Sequence, residues 1–163
     1  MKHIALVAPL FAAALLAAPA MARPVTPPTP MAAPAEGVIQ LSSTHGFDDT
    51  IARLKADVAA KGIRFFDAID QAALGDGAGL KIRRSTLVLF GNPPLGVQFL
   101  QSNPYSGLDW PVRMLVLEDA EGNVRVAWTD FGFIAGRYHI TDRAPQFTMA
   151  SEVALSIATA ATQ

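Results

Sequence analysis

Thr86-Leu-Val-Leu-Phe-Gly-Asn-Pro93 is an apolar run that stops on a Gly-Asn-Pro turn. A strand apolar at every position predicts an inner strand covered on both faces. The turn predicts a helix start. Asn92 is a natural N-cap and Pro93 a natural first helical residue, and the position before a proline is held out of helical space.

Working outward, Gly37 to Ser43 reads as a first strand, followed by a helix over Phe47 to Ala60. Phe47, Ile51, Leu54 and Val58 form one stripe of that helix, Asp48 and Asp49 suit its positive end, and Gly62 suits a left-handed cap. Ile63 to Ile69 is a second strand, and the strand–helix–strand order predicts a right-handed crossover and a parallel pair. Asp70 to Ala78 reads as a short helix or turn, and Pro94 to Gln101 as another short helix. Val112 to Glu118 and Asn123 to Trp128 form a hairpin across Asp119–Gly122, with Gly122 free to take positive φ. Residues 131 to 137 read as a helical turn. Pro145 to Thr162 closes the chain as a helix with Phe147, Ala150, Val153, Ala154, Ile157, Ala158 and Ala161 on one side. The predicted class is an α/β (α+β) two-layer sandwich, with a mixed sheet of about five strands and helices mainly on one face.

In order along the chain stand Phe47-Asp-Asp-Thr-Ile-Ala-Arg-Leu54, Lys61-Gly62, Leu87-Val-Leu-Phe-Gly-Asn-Pro93, Leu108-Asp-Trp-Pro111 and Gly122-Asn-Val-Arg-Val126. This series resembles the DUF302 family of small bacterial domains, from about Ser42 to Ala161. The resemblance implies a single domain over 37–163 and no assigned activity. The family pattern has a His after the second strand and a basic residue after Phe-Gly-Asn-Pro, where this chain has Asp70-Gln71 and Pro94.

The other segments and the composition set the setting. Met1-Lys2-His3, an uncharged run from Ile4 to Ala18 and the small-x-small step Ala20-Met21-Ala22 read as a signal peptide over 1–22, cleaved after Ala22. The rival reading is an uncleaved N-terminal anchor, although the run is short for a membrane span. Periplasmic or secreted location is expected, with no stable membrane span after cleavage. Residues 23–36 hold five prolines and read as an extended linker. The chain has no Cys, which excludes disulfides, thiol nucleophiles and a lipid-acylated cysteine. A net charge of −1 offers no basic field for nucleic acid.

Candidate chemistry is sparse. Asp109, Arg113, Asp130 and Arg137 are the polar set that can converge at one sheet end, as a small-ligand site or, in the catalytic alternative, as an acid–base carboxylate with an arginine clamp. Trp110 and Asn92 join them as ligand-contacting candidates. The competing reading makes Asp109 and Asp130 turn caps and turns Arg113 to water or a partner subunit. His45 and His139 lack ligand spacing, and no serine lies in a Gly-x-Ser-x-Gly elbow. Trp110, Trp128, Phe131, Phe133 and Tyr138 predict a packed aromatic cluster, a homodimer face or a hydrophobic ligand cleft. The favoured expectation is a small-ligand-binding or interaction module without a cofactor or metal, more a binder than an enzyme.

Overall fold

Alternation along the apolar run builds the centre of the computed structural model, which describes residues 35–163. The signal-peptide reading and nearly all of the linker reading fall outside those residues. In β3 (Ser85–Gly91), Thr86, Val88 and Phe90 turn to the core, while Leu87 and Leu89 face the other way and stay half-buried. The run is therefore covered fully on one face only, which corrects the expectation of a strand buried on both. β4 (Val112–Glu118) repeats the pattern, with Met114 and Val116 fully buried and Leu115 and Leu117 opposite. β5 (Val124–Thr129) contributes Val124, Val126 and Trp128 to the core.

The sheet has five strands in the order β1-β5-β4-β3-β2, with β1 at Val38–Ser42 and β2 at Arg64–Asp70. Every neighbouring pair is antiparallel. The two-layer α/β class and the strand number are as expected, but the parallel pair is not formed. β1 and β2 do run in the same direction. They stand at opposite edges, however, with β5, β4 and β3 between them. The crossover helix α1 (Phe47–Ala60) explains how. Its 14 residues reach ~21 Å, against ~19 Å for four inter-strand gaps. The helix is long enough to carry the chain across the full width of the sheet.

α1 packs against the long closing helix α5 (Ala144–Thr162), and together they cover the core face. Leu54 and Val58 from α1 and Ile157, Ala158 and Ala161 from α5 are fully buried with Val88, Met114, Val116 and Val126. Each buried Leu, Ile, Val or Met side chain contributes about 1.5–3 kcal/mol relative to leaving it exposed. The alanines of α5 let the two helices approach closely. The turn glycines expected to take left-handed backbone do so, Gly62 at φ +65° and Gly122 at φ +86°. Three short helices finish the chain: α2 (Gln71–Gly77), α3 (Pro93–Ser102) and α4 (Phe131–Arg137). Among the described residues no helix is long and apolar enough to cross a membrane.

The hairpin turn carries its own polar knot. The buried Asp119 carboxylate accepts from the backbone N–H groups of Glu121 and Asn123, from the Asn123 amide, and from Arg125 Nε at 2.9 Å. Arg125 also reaches Ser42 Oγ at 2.8 Å, tying the edge strand β1 to the hairpin. Burial pushes the Asp119 carboxyl up, but the hydrogen bonds from Asn123 and Arg125 outweigh it and hold it at about 2. A carboxyl free in the unfolded chain titrates near 3.9. The depressed group thus stabilises the fold above pH ~4, and that contribution is lost as pH falls toward 2. Urea denaturation at pH 5 and pH 2.5 is expected to show a smaller acid-induced loss for Asp119→Asn than for the native chain.

Candidate functional site

The segment between α3 and β4 brings the polar candidates together. Asn103 accepts from the Tyr105 N–H and opens a 3-10 turn over Pro104–Asp109, which delivers Asp109 and Trp110 side by side to the start of β4. The Trp110–Pro111 bond is cis. Asp109 turns inward, and its side chain is only 3% exposed. Arg113 donates to Oδ1, while Arg137 Nη1 at 3.0 Å and the Tyr138 hydroxyl at 2.6 Å both donate to Oδ2.

Three of the four charged candidates therefore meet. Asp130 does not join them: it caps α4, with its carboxylate accepting from the Gly132 N–H at 2.8 Å. Tyr138 is the partner that sequence reasoning missed. Its sequence neighbours mark it only as a packing aromatic, and nothing local marks its hydroxyl as the third donor. The hydrogen bond to Asp109, with burial behind it, pushes the Tyr138 phenol above its ordinary value. Its proton is retained throughout the neutral range, so it serves as a donor. The neighbouring Tyr138 oxygen, then the charge of Asp109, raise the Arg137 guanidinium further. Arg137 also lies over the Phe133 ring, 5.2 Å from its centroid.

Trp110 points the other way, into an apolar cleft between the end of the sheet, α3 and α5. Ile63, Phe90, Leu95, Phe99, Val153 and Ala154 form most of its wall, and Asn92 and Trp110 stand on its border. Its volume is about 40 Å³. Asn92 is the N-cap of α3 by backbone position, but its side chain makes no capping bond. The indole lies flat against backbone. A Cβ added at Gly96 would sit 1.8 Å from Trp110 Nε1, and one at Gly91 would sit 3.2 Å from the same atom. A glycine four residues into a helix, where it costs ~1 kcal/mol against alanine, was the one signal in the sequence for this close approach. Phe66, at the bulge that shifts the β2–β3 register, meets Trp110 edge-on at 6.0 Å. Arg64 stacks over Phe66 in turn.

A second, smaller depression of about 10 Å³ lies beside Arg113, lined by Asp109, Val112, Arg113, Thr129, Phe131 and Ile134. Val112 and Phe131 belong to both hollows. Of the other aromatics in the predicted cluster, Trp128 is buried in the core. His45 pairs with Asp49 at 3.4 Å at the start of α1, and His139 sits in a left-handed turn at φ 53°. Among the described residues no three His, Cys, Asp or Glu gather closely enough to hold a metal ion.

Comparison with known proteins places this geometry. A crystal structure of an uncharacterised conserved DUF302 protein from Bacillus stearothermophilus superimposes with a TM-score of 0.71, covering 78% of this chain and 99% of that one. At 14% identity it shows a shared fold. Two curated relatives are the Fluoride-specific ion channel FluC 1 of Brucella suis and that of Brucella abortus, each 33% identical over 104 residues, or 64% of this chain. The matched region spans only 41% and 38% of the length of those relatives. The profile described as "Domain of unknown function DUF302" matches residues 39–161. With that match running from β1 to the end of α5, the chain belongs to the DUF302 family.

Proposed function

We propose that this domain is an exported, non-catalytic module that binds a small apolar ligand in the cleft beneath Trp110. The observation that carries the reading is the cleft itself, an open hollow walled almost entirely by aliphatic and aromatic side chains at the junction of sheet, α3 and α5. Apolar hollows with a few polar groups at the rim are where small ligands bind, and one of about 40 Å³ takes only a very small one. Asn92 and the Trp110 indole N–H supply those polar groups. The basic start, apolar run and Ala20-Met21-Ala22 support a periplasmic or secreted setting.

The catalytic alternative has its arginines and its carboxylate in contact, and a general base must in addition reach the substrate's proton. Burial and three donors on its oxygens nevertheless shield Asp109 from a substrate proton, which favours a binder. The relatives lend the setting. They are named as ion channels, the matched region makes up about two fifths of each, and no helix described here can cross a membrane. A ligand-binding module beside a membrane domain fits that arrangement, with the module acting as a sensing part.

The test is an NMR titration with pentan-1-ol, a probe of cleft size. The Trp110 indole N–H resonance is expected to shift with saturation, while that of buried Trp128 stays fixed. Filling the cleft with Val153→Phe, or with the smaller insertion Val153→Met, is expected to weaken binding about tenfold or more, since the ligand and the new side chain compete for one volume. A Trp110 signal that does not move in the native chain would rule the cleft out.

A further inference from the structure

One backbone step separates the two halves of this site. Trp110 lies in the apolar cleft, and Asp109 beside it anchors Arg113 and Arg137. The wall between the cleft and the arginine hollow is made by Val112 and Phe131, which line both. A molecule with an apolar end and a polar end could therefore lie across that wall and meet matching chemistry on each side.

The arginine side is built to hold an anion. Each guanidinium has five N–H donors, and Arg113 and Arg137 each direct a single hydrogen bond at Asp109. Both side chains remain about half exposed, 43% and 48%. Asp109 holds one donor of each, Arg113 lines the hollow itself, and Arg137 reaches the same carboxylate from α4. The Phe133 ring under Arg137 restrains it further. Orientation of this kind lowers the ordering cost of binding, and paired forks match a carboxylate geometrically. Two cations over one buried carboxylate leave a single net positive charge, suited to a monoanion more than a dianion. Asp130, the other carboxylate of the predicted set, makes no ion pair with either arginine and caps α4 instead.

Size limits the apolar end. A cleft of about 40 Å³ holds roughly three water-sized groups at 10–15 Å³ each. About three carbons in the cleft, one across the wall and the head-group carbon make a chain of roughly five.

We propose that the ligand class is a short-chain carboxylate, with its alkyl end in the cleft beneath Trp110 and its carboxylate on Arg113 and Arg137. This rests on the cleft reading above and adds the head group to it. The experiment compares pentanoate with pentan-1-ol on the native chain by the same NMR titration. Pentanoate is expected to bind about tenfold more tightly, and added salt should weaken pentanoate alone. Arg113→Gln and Arg137→Gln should each bring pentanoate down toward the alcohol and leave the alcohol unchanged. Arg113→Lys should fall between, because it keeps the charge and loses the fork. Equal affinity for acid and alcohol in the native chain would overturn the head-group assignment while leaving the cleft in place. So would arginine variants that weaken both ligands alike. If neither probe binds, the cleft reading falls and this one with it.

Discussion

Gly96→Ala is expected to destabilise the domain by about 1–3 kcal/mol, the cost of forcing an extra group into packed surroundings. The sign is what makes this informative. In an ordinary helix interior, glycine to alanine is favourable by ~1 kcal/mol, because alanine restricts the unfolded chain and fits the helix. α3 is such a helix, but the new methyl would lie 1.8 Å from Trp110 Nε1 and 2.4 Å from Cδ1 and Cε2. The indole must move, losing its seat against Gly91 and its edge contact with Phe66. A double-mutant cycle isolates the cause. In a Trp110→Ala background the obstacle is gone, so Gly96→Ala should become neutral or stabilising. Urea denaturation of the four proteins measures the coupling. If Gly96→Ala stabilises the native chain, the indole does not lie on the helix backbone, and the cleft has a different shape.

That packing shows where reading the sequence stops. The helix over 47–60, the hairpin and the closing helix were legible, because the residues that decide them lie within a few positions of one another. The apolar stripe of α1 recurs every three or four residues, and Asp119–Gly122 carries its turn chemistry locally. Strand order was not legible. Periodicity says that β1 and β2 flank a helix, but not that the helix crosses three other strands before β2 begins. The choice depends on which strands can cover β4, a matter of long-range pairing that no local signal carries. The same division runs through the site. Asp109, Arg113 and Arg137 could be grouped because uncompensated charges stand at the ends of adjoining elements. Asp130 was grouped with them for the same reason and turned out to cap α4. Tyr138 and Gly96 owe their roles to contacts 29 and 14 residues away in sequence, with Asp109 and Trp110, and their chemical types alone do not disclose them.

Replacing Arg113 and Arg137 together by glutamine is expected to cost about 3–5 kcal/mol, the usual penalty for leaving a buried charge unpaired. Each replacement alone should cost only about 0–1 kcal/mol, as for exposed ion pairs. The difference follows from who is buried. Both guanidiniums reach solvent, so either loses little when freed, but the Asp109 side chain is only 3% exposed and depends on its donors. With one arginine removed, the other and the Tyr138 hydroxyl still satisfy the carboxylate. With both removed, one phenol faces a full negative charge. The effects should therefore be strongly non-additive, as neighbours sharing one partner generally are. A third substitution identifies the orphaned charge as the cause. Asp109→Asn in the double-glutamine background keeps an acceptor for Tyr138, removes the charge, and should recover most of the lost stability. Denaturant midpoints for the two single variants, the double and the triple decide it. Additive losses, or a triple variant no more stable than the double, would mean that Asp109 is not the buried anion on which the two arginines converge.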